Sequence, residues 1–390
     1  MSRHLCVVTG SRAEWDLLKW LVRALRGRND VRVSVLATGM HLAPQFGRTV
    51  QAILAEGVVP ETVDCLVAGD SAAAMAKSVG LGVIGITDAL VRLAPDMVVV
   101  LGDRFEILAA TQAAMLLGLP IAHLHGGELT EGAVDDAIRH AITKMAHLHF
   151  TAAADYGRRV IQMGEPPENV HTVGAIGVDA ALAVQPLDRE ELTRRLGGIP
   201  PADTTFLVTY HPVTLTRSDD AAAVAAMCRA LARHPAARIV VTGVNADAGH
   251  AAIGAVLDDF ARSCPDRVSI HASLGQALYH AVMREASVVV GNSSSGIIEA
   301  PAMGVPTVNI GDRQKGRLFA ASVIACAEDE DSIGAALTRA LDPAFRAAIR
   351  SQTPPYGGGG SAGRIAAILA GADLSAFPRK RFHDLPETAA

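Results

Sequence analysis

The residues of this chain best suited to chemistry recur directly after short apolar runs. Met97–Leu101 leads into Gly102, Asp103 and Arg104, which puts a carboxylate and a guanidinium at the end of an apolar strand. Ile121–Leu124 leads into His125-Gly126-Gly127-Glu128. Strand alternation predicts His123 and His125 on one face with Glu128 beside them, and the paired glycines would let the backbone approach a ligand closely. The stretch that follows carries Asp135, Asp136, Arg139, His140 and Lys144, with Asp135/Arg139 and Asp136/His140 at helical spacing. Carboxylates beside an imidazole, which titrates near neutral pH, are the groups that move protons. Each has a plainer reading, an Asp–Arg bridge that holds a loop or pairing along a helix surface. Histidines at 123, 125, 140, 147 and 149 raise the idea of a metal. Only two of them share a short strand and no H-x-x-x-H pattern with a supporting carboxylate occurs, so no metal site is expected.

A second set of residues suits anions. Ser287–Val290 runs into Gly291-Asn292-Ser293-Ser294-Ser295-Gly296, where small hydroxyls between glycines at a strand-to-helix junction can cradle a diphosphate. Glu299 follows, an acceptor for vicinal ribose hydroxyls, and Arg313, Lys315 and Arg317 add cations after the strand Pro306–Ile310. Gly10-Ser11-Arg12 offers N–H groups and a guanidinium at a helix start, with a simple helix cap as the alternative. Thr38-Gly39-Met40-His41, His211-Pro212 and Gly243-Val244-Asn245-Ala246-Asp247 are further polar turns placed after strands.

The elements that must position these loops are strands alternating with helices, the pattern of an α/β chain with parallel sheets. Leu5–Val8, Val31–Ala37, Met97–Leu101 and Ile121–Leu124 read as the strands of one sheet. A second series comprises Phe206–Tyr210, Arg238–Thr242, Val268–His271, Ser287–Val290 and Pro306–Ile310. Strand signals stop between Gly174 and Pro201 around a charged run, so the expected division is residues 1–180, 181–375 and a tail at 376–390. Gly357–Gly360 reads as a connector. Two such domains bring polar strand ends to a shared cleft, the usual ligand site of open α/β sheets.

Composition narrows the function classes. The 390 residues are 50% hydrophobic and 19% charged, enough apolar side chain for sizeable cores. A formal charge of −5 without basic blocks argues against nucleic acid. The apolar stretch Leu108 to Leu124 is interrupted by Gln112, Gly118 and Pro120, so no membrane partner is expected. Five scattered cysteines fit a cytoplasmic protein.

In these motifs the chain resembles the hydrolysing UDP-N-acetylglucosamine 2-epimerases of sialic and legionaminic acid pathways. The resemblance spans nearly the whole length and rests on Thr9–Glu14, Thr38–His41, Gly102–Glu106, His125–Glu128, Ile138–Met145, Gly291–Gly296, Glu299-Ala300-Pro301 and Gly311–Gln314. It implies two Rossmann-like domains facing a cleft in the glycosyltransferase-B architecture, a UDP site mainly in the second domain and a C-terminal helix that crosses back to the first. It implies a homo-oligomer, dimer or tetramer, and chemistry that needs neither NAD nor a metal. Asp103 and Asp135 match the family's catalytic carboxylates, with Asp136 able to replace Asp135 in the match, and Glu128 matches the acid of the glycine-glycine-glutamate turn. His125 stands where some members have a glutamate, and is read as a proton carrier. Arg12, His211, Asn245, Ser293, Ser294, Glu299 and Arg313 match nucleotide-binding positions. The implied reaction converts UDP-N-acetylglucosamine to N-acetylmannosamine and UDP by anti-elimination through 2-acetamidoglucal and hydration. UDP-N,N′-diacetylbacillosamine is the alternative substrate, and the choice of UDP over GDP stays open. Behind these rank a non-hydrolysing epimerase, a glycosyltransferase and a non-catalytic sugar-nucleotide-binding module.

Overall fold

Uninterrupted apolar runs make strands buried on both faces, and here they build two all-parallel sheets. The computed structural model describes residues 2–69, 71–129, 134–212, 220–243, 250–377 and 380–385. In chain order its strands are β1 (Arg3–Thr9), β2 (Val31–Thr38), β3 (Glu61–Val63), β4 (Met97–Leu101), β5 (Ile121–Leu124), β6 (Leu148–Thr151) and β7 (Val170–Thr172). They continue as β8 (Thr205–Thr209), β9 (Arg238–Thr242), β10 (Val268–His271), β11 (Val288–Gly291), β12 (Thr307–Ile310) and β13 (Val323–Cys326). The first sheet is ordered β3-β2-β1-β4-β5-β6-β7 and the second β10-β9-β8-β11-β12-β13. Strand order therefore reverses between β1 and β4 and again between β8 and β11, the switch points at which open sheets present their loops to ligands.

Alternation within the strands sends residues to two layers. Leu5, Val7, Met97 and Val99 pack with Trp15, Leu18 and Val22 of the helix Arg12–Arg26. Cys6, Val8, Val98 and Val100 face the opposite way, onto Ile107, Ala110 and Ala114 of the helix Phe105–Leu116. Every residue of β4 and of β8 is buried. Complete burial of a Leu or Val side chain stabilises by about 1.5–3 kcal/mol, so these layers hold the switch-point loops rigidly. The short strands β3, β6, β7 and β13 were not anticipated from the sequence.

The chain divides into two compact units, residues 1–180 with 359–390, and residues 181–358. This corrects the expected second domain, which ran to residue 375. The helix Ser361–Gly371 puts Ala362, Ile365, Ala366 and Leu369 into the core of the first unit. Its first N–H groups are held there too, since Ser361 N and Ala362 N donate to Asp179 at 3.0 and 2.6 Å. The glycine run read as a connector carries the chain back into that unit. Another feature missed in the sequence is the helix Ala72–Leu93, whose mean hydropathy of 1.5 makes it long and apolar enough to cross a membrane by length and composition alone. Its buried residues, among them Ile86, Ala89 and Leu90, instead face the protein interior.

Candidate functional site

The loops at the first unit's switch point are built around buried carboxylates. Ser11 and Glu14 form a capping box at the start of the helix Arg12–Arg26. Glu14 Oε2 accepts from Gly10 N at 2.6 Å and Ser11 N at 3.0 Å, so donors expected to await an external anion are taken by the chain's own side chain. Arg12 lies at the surface with Asp16 3.6 Å away. Burial raises the Glu14 carboxyl to about 8, against the opposing pull of Arg104. Glu106 is fully buried beside it and binds Arg104 at 2.9 Å. Gly39 is left-handed (φ +59°), and a Cβ there would stand 2.7 Å from Glu106 Oε1. His41 bonds Thr9 Oγ1 at 3.0 Å and Thr49 Oγ1 at 2.9 Å, and burial lowers it to about 4. It is a neutral brace between loops.

After β4 the chain turns at Gly102 (φ +76°) and presents Asp103. Arg104 turns to Glu106, and Asp103 is met by Arg139, so the expected Asp135/Arg139 pairing along the helix Val134–Met145 gives way to a bridge between elements. Asp103 is shifted upward by burial first, with Arg139 opposing and with Asp135 and Glu128 raising it further. Three carboxylates therefore share one field. Asp136 faces His140 at 3.6 Å on the same helix.

His123 and His125 do not share a face. His123 is enclosed, bonding Gly102 O at 2.9 Å and Thr143 Oγ1 at 3.1 Å, and burial lowers it to about 3. His125 lies just past β5 in the left-handed region (φ +64°), where alternation no longer applies. That turn sets its Nδ1 2.7 Å from Glu128 Oε1 and leaves Nε2 buried with no hydrogen-bond partner among the described residues. A strained backbone and an open ring nitrogen together mark a functional position. The paired glycines make room for protein, not ligand: a Cβ on Gly126 would lie 3.0 Å from Thr143 Oγ1, and one on Gly127 2.4 Å from Tyr156 O. Among the described residues no group of three or more His, Cys, Asp or Glu side chains could hold a metal ion.

The second unit's switch point is made of amides and hydroxyls. Gly291 (φ +131°) brings β11 against Thr209 O, where a Cβ would come within 2.0 Å. Asn292, fully buried, accepts from His211 N and donates to His211 O, both at 2.8 Å, so the loops after β8 and β11 move as one. Its own carbonyl accepts from Arg313 at 3.1 Å and Gln314 at 2.8 Å, which fixes the loop after β12 as well. Ser293 Oγ bonds Ser295 Oγ at 2.9 Å, and Tyr279 OH bonds Ser295 Oγ at 2.5 Å and Thr209 Oγ1 at 3.4 Å. Ser294 N-caps the helix Ser295–Ile298 without a side-chain capping bond. That helix is only four residues long, so it offers N–H donors and little macrodipole. Glu299 closes the helix instead of lying within it; burial raises its carboxyl to about 7, opposed by Arg317. Asn245 lies outside the described residues. Asn292, Gln314, Tyr279 and the partner role of Arg139 were missed in the sequence. Only the position of Asn292 between glycine and serine hinted at its use.

Comparison with known proteins fits this geometry. Residues 23–370 match the model of the UDP-N-acetylglucosamine 2-epimerase family. The chain is 36% identical to the GDP/UDP-N,N′-diacetylbacillosamine 2-epimerase (hydrolyzing) of Campylobacter jejuni, over 83% of this chain and 84% of that one. It is 35% identical to the UDP-N,N′-diacetylbacillosamine 2-epimerase (hydrolyzing) of Legionella pneumophila, over 88% and 90%. The crystal structure of the Neisseria meningitidis UDP-GlcNAc 2-epimerase bound to UDP-GlcNAc superposes with a TM-score of 0.76 at 17% identity, over 94% of this chain and 99% of that one, and so shares the glycosyltransferase-B class of fold. By its sequence match and its fold, the chain belongs to the UDP-N-acetylglucosamine 2-epimerase family.

Proposed function

We propose that the protein is a hydrolysing 2-epimerase of a UDP-linked 2-acetamido sugar. The observation that carries this reading is the carboxylate cluster of Asp103, Glu128 and Asp135 around the His125–Glu128 pair, in which burial and like charges hold Asp103 above its ordinary range. A group that is poised between protonation states suits acid–base work. The second unit carries the nucleotide: Ser293, Ser294 and Arg313 supply donors to the diphosphate, Glu299 accepts from the ribose, and His211, whose backbone is held by Asn292, adds a further nucleotide contact.

In the first half-reaction a base takes the C2 proton while the C1–O bond to the diphosphate breaks. UDP leaves with the bonding electron pair, and the new C1=C2 bond gives a 2-acetamidoglucal. In the second, the hydroxyl of water joins C1 and a proton joins C2 on the opposite face, which yields the free 2-epimerised sugar. His125, with Nδ1 held by Glu128 and Nε2 open, is suited to carry one of these protons, and Asp103 and Asp135 to carry the others. UDP-N-acetylglucosamine is the simplest substrate of this class. The activities for which the relatives at 36% and 35% identity are named favour a second reading, UDP-N,N′-diacetylbacillosamine. NMR of the products in D2O decides both points. The expected result is deuterium at C2 of a free sugar with UDP released in equal amount, from whichever nucleotide sugar turns over faster. A product still joined to UDP, or protium at C2, overturns the mechanism.

A further inference from the structure

The C-terminal tail delivers a cation to a buried carboxylate of the first unit. Glu165, fully buried, is bonded by Lys144 Nζ at 2.6 Å, His149 Nε2 at 2.9 Å and Lys380 Nζ at 2.8 Å. Burial opposes its ionisation, yet the bonds from His149, Lys144 and Lys380 hold the carboxyl at about 2. Lys380 Nζ also donates to Ala146 O at 2.6 Å and to Lys144 O, so each of its three N–H bonds has an acceptor. The carbonyl of Thr143 lies 3.4 Å away.

These carbonyls belong to the last turn of the helix Val134–Met145 and the residue after it. The last C=O groups of a helix lack partners within it, and a cation suits that end of its dipole. Here the cation comes from 236 residues along the chain. The tail brings little apolar burial of its own: Phe382 meets Gly164 and Lys144 Nζ yet is 66% exposed, and Leu385 is 50% exposed. One backbone bond, His383 N to Gly164 O at 2.9 Å, completes the contact. The ammonium is therefore the main anchor of residues 380–385, and the end of the helix is what it holds. The other half of that helix carries Asp135 and Arg139, and Arg139 bridges to Asp103. Thr143 bonds His123, whose Nε2 bonds the carbonyl of Gly102 beside Asp103. A helix of 12 residues is a rod of about 18 Å, so a shift of its last turn carries Asp135 and Arg139 with it.

We propose that Lys380 is a positioning residue: from the tail it fixes the axial position of the helix Val134–Met145, and with it Asp135 and the Arg139–Asp103 bridge. Its effect on rate rests on the acid–base role proposed above for those carboxylates. Lys380→Met keeps the stem and removes the charge, while Glu165 retains Lys144 and His149 and is not left unpaired. The kcat for UDP release should fall about 10–100-fold, the scale of a displacement of roughly 1 Å, with KM and UDP affinity within a factor of about three. Hydrogen exchange followed by mass spectrometry needs no turnover. Amides of residues 135–142 should exchange at least about 10-fold faster than in the wild type, and those of β8 and β11 at the wild-type rate. Lys380→Arg keeps the charge on a planar fork that cannot aim at all three acceptors, so it should show the same changes at about threefold, and it carries the test should the Met variant not fold. Wild-type kcat in the folded variants, a fall in kcat matched by an equal loss of UDP affinity, or faster exchange confined to residues 143–146 and the tail overturns the proposal. A wild-type protein that turns over neither nucleotide sugar would defeat the proposed reaction instead, and exchange at residues 135–142 would then decide alone whether Lys380 sets the helix.

Discussion

After β1 and β4 the first unit gathers Glu14, Asp103 and Glu106 with Arg104. After β8 and β11 the second gathers Asn292, three serines and Arg313, although both pairs of loops leave the same place in the same strand order. A shared topology supplies the place and the residues supply the chemistry. In the first unit the loop N–H groups are consumed by Glu14, and burial, joined by the charges of Asp135 and Glu128 against the pull of Arg139, raises Asp103. In the second unit buried amides tie three loops together, among neutral hydroxyls and the Arg313 guanidinium. The comparison predicts that proton transfer and nucleotide capture can be damaged separately.

The largest effect is expected at the acids. Asp103→Asn keeps the shape and removes the titrating group, and should slow release of UDP from the nucleotide sugar by about 10²–10⁴-fold, the usual contribution of a general acid or base. UDP affinity measured by calorimetry should stay within a factor of about three if, as proposed, a distinct loop set captures the diphosphate. A parallel loss of affinity would break the division of labour.

Next in size is the anion site. Arg313→Ala removes a charged donor worth about 1.5–3 kcal/mol, so the dissociation constant for UDP should rise by about 10–150-fold; Ser294→Ala should give a smaller rise. UDP affinity unchanged in both variants would remove the assignment of these loops to the nucleotide.

Much of this was legible from local pattern, and the remainder was not because it depends on distant residues. β4, β5, β9 and β10 have the bounds read from the sequence; β4, β5 and β9 are buried throughout and β10 only at Val268. Asp103 and Glu128 stood out as polar residues shortly after strands, and Asp135 as a carboxylate of the helix that follows β5. The strands β3 and β7, three residues each and partly exposed, carry too few apolar residues to register. No local signal announces the left-handed turn at His125, because an alternating histidine pair reads as a continuing strand. The bridge from Arg139 to Asp103 and the hydroxyl contact from Tyr279 to Thr209 join elements far apart in sequence. The return of the helix Ser361–Gly371 to the first unit was implied by the family resemblance, but the bounds drawn from local pattern missed it, because it rests on an apolar face that meets the helix Arg12–Arg26.

Asn292 lets the second half of the comparison be tested through stability. Asn292→Ala strips both hydrogen bonds from the His211 backbone inside the protein, which should cost about 1–3 kcal/mol by urea titration. It should also weaken UDP binding, because the loops after β8 and β11 lose their common anchor. A destabilised variant with wild-type UDP affinity would show that the amide braces the sheet without shaping the site.

The smallest effect is a pH dependence confined to the first unit. Glu14 has an ordinary value of 4.5 and is raised by burial to about 8 in the folded chain. Below about 4.5 it is protonated in both states; between there and about 8 the folded chain keeps a proton that the unfolded chain has released. Stability from this group is therefore complete at low pH and is lost as pH rises through that interval. Glu14→Gln cannot ionise, its amide oxygen can still accept from Gly10 N and Ser11 N, and its NH2 group occupies the position where Oε1 has no partner. Calorimetric melting should show a shallower fall from pH 5 to 8.5 in the variant, with a gain of about 2–4 °C at pH 8, the shift that roughly 1 kcal/mol gives a domain of this size. UDP affinity at either pH should not change, because no nucleotide donor is altered. Equal pH slopes in the two proteins would mean that Arg104 keeps Glu14 ionised after all, and the acidic loops of the first unit would then owe their order to ion pairing instead of to a retained proton.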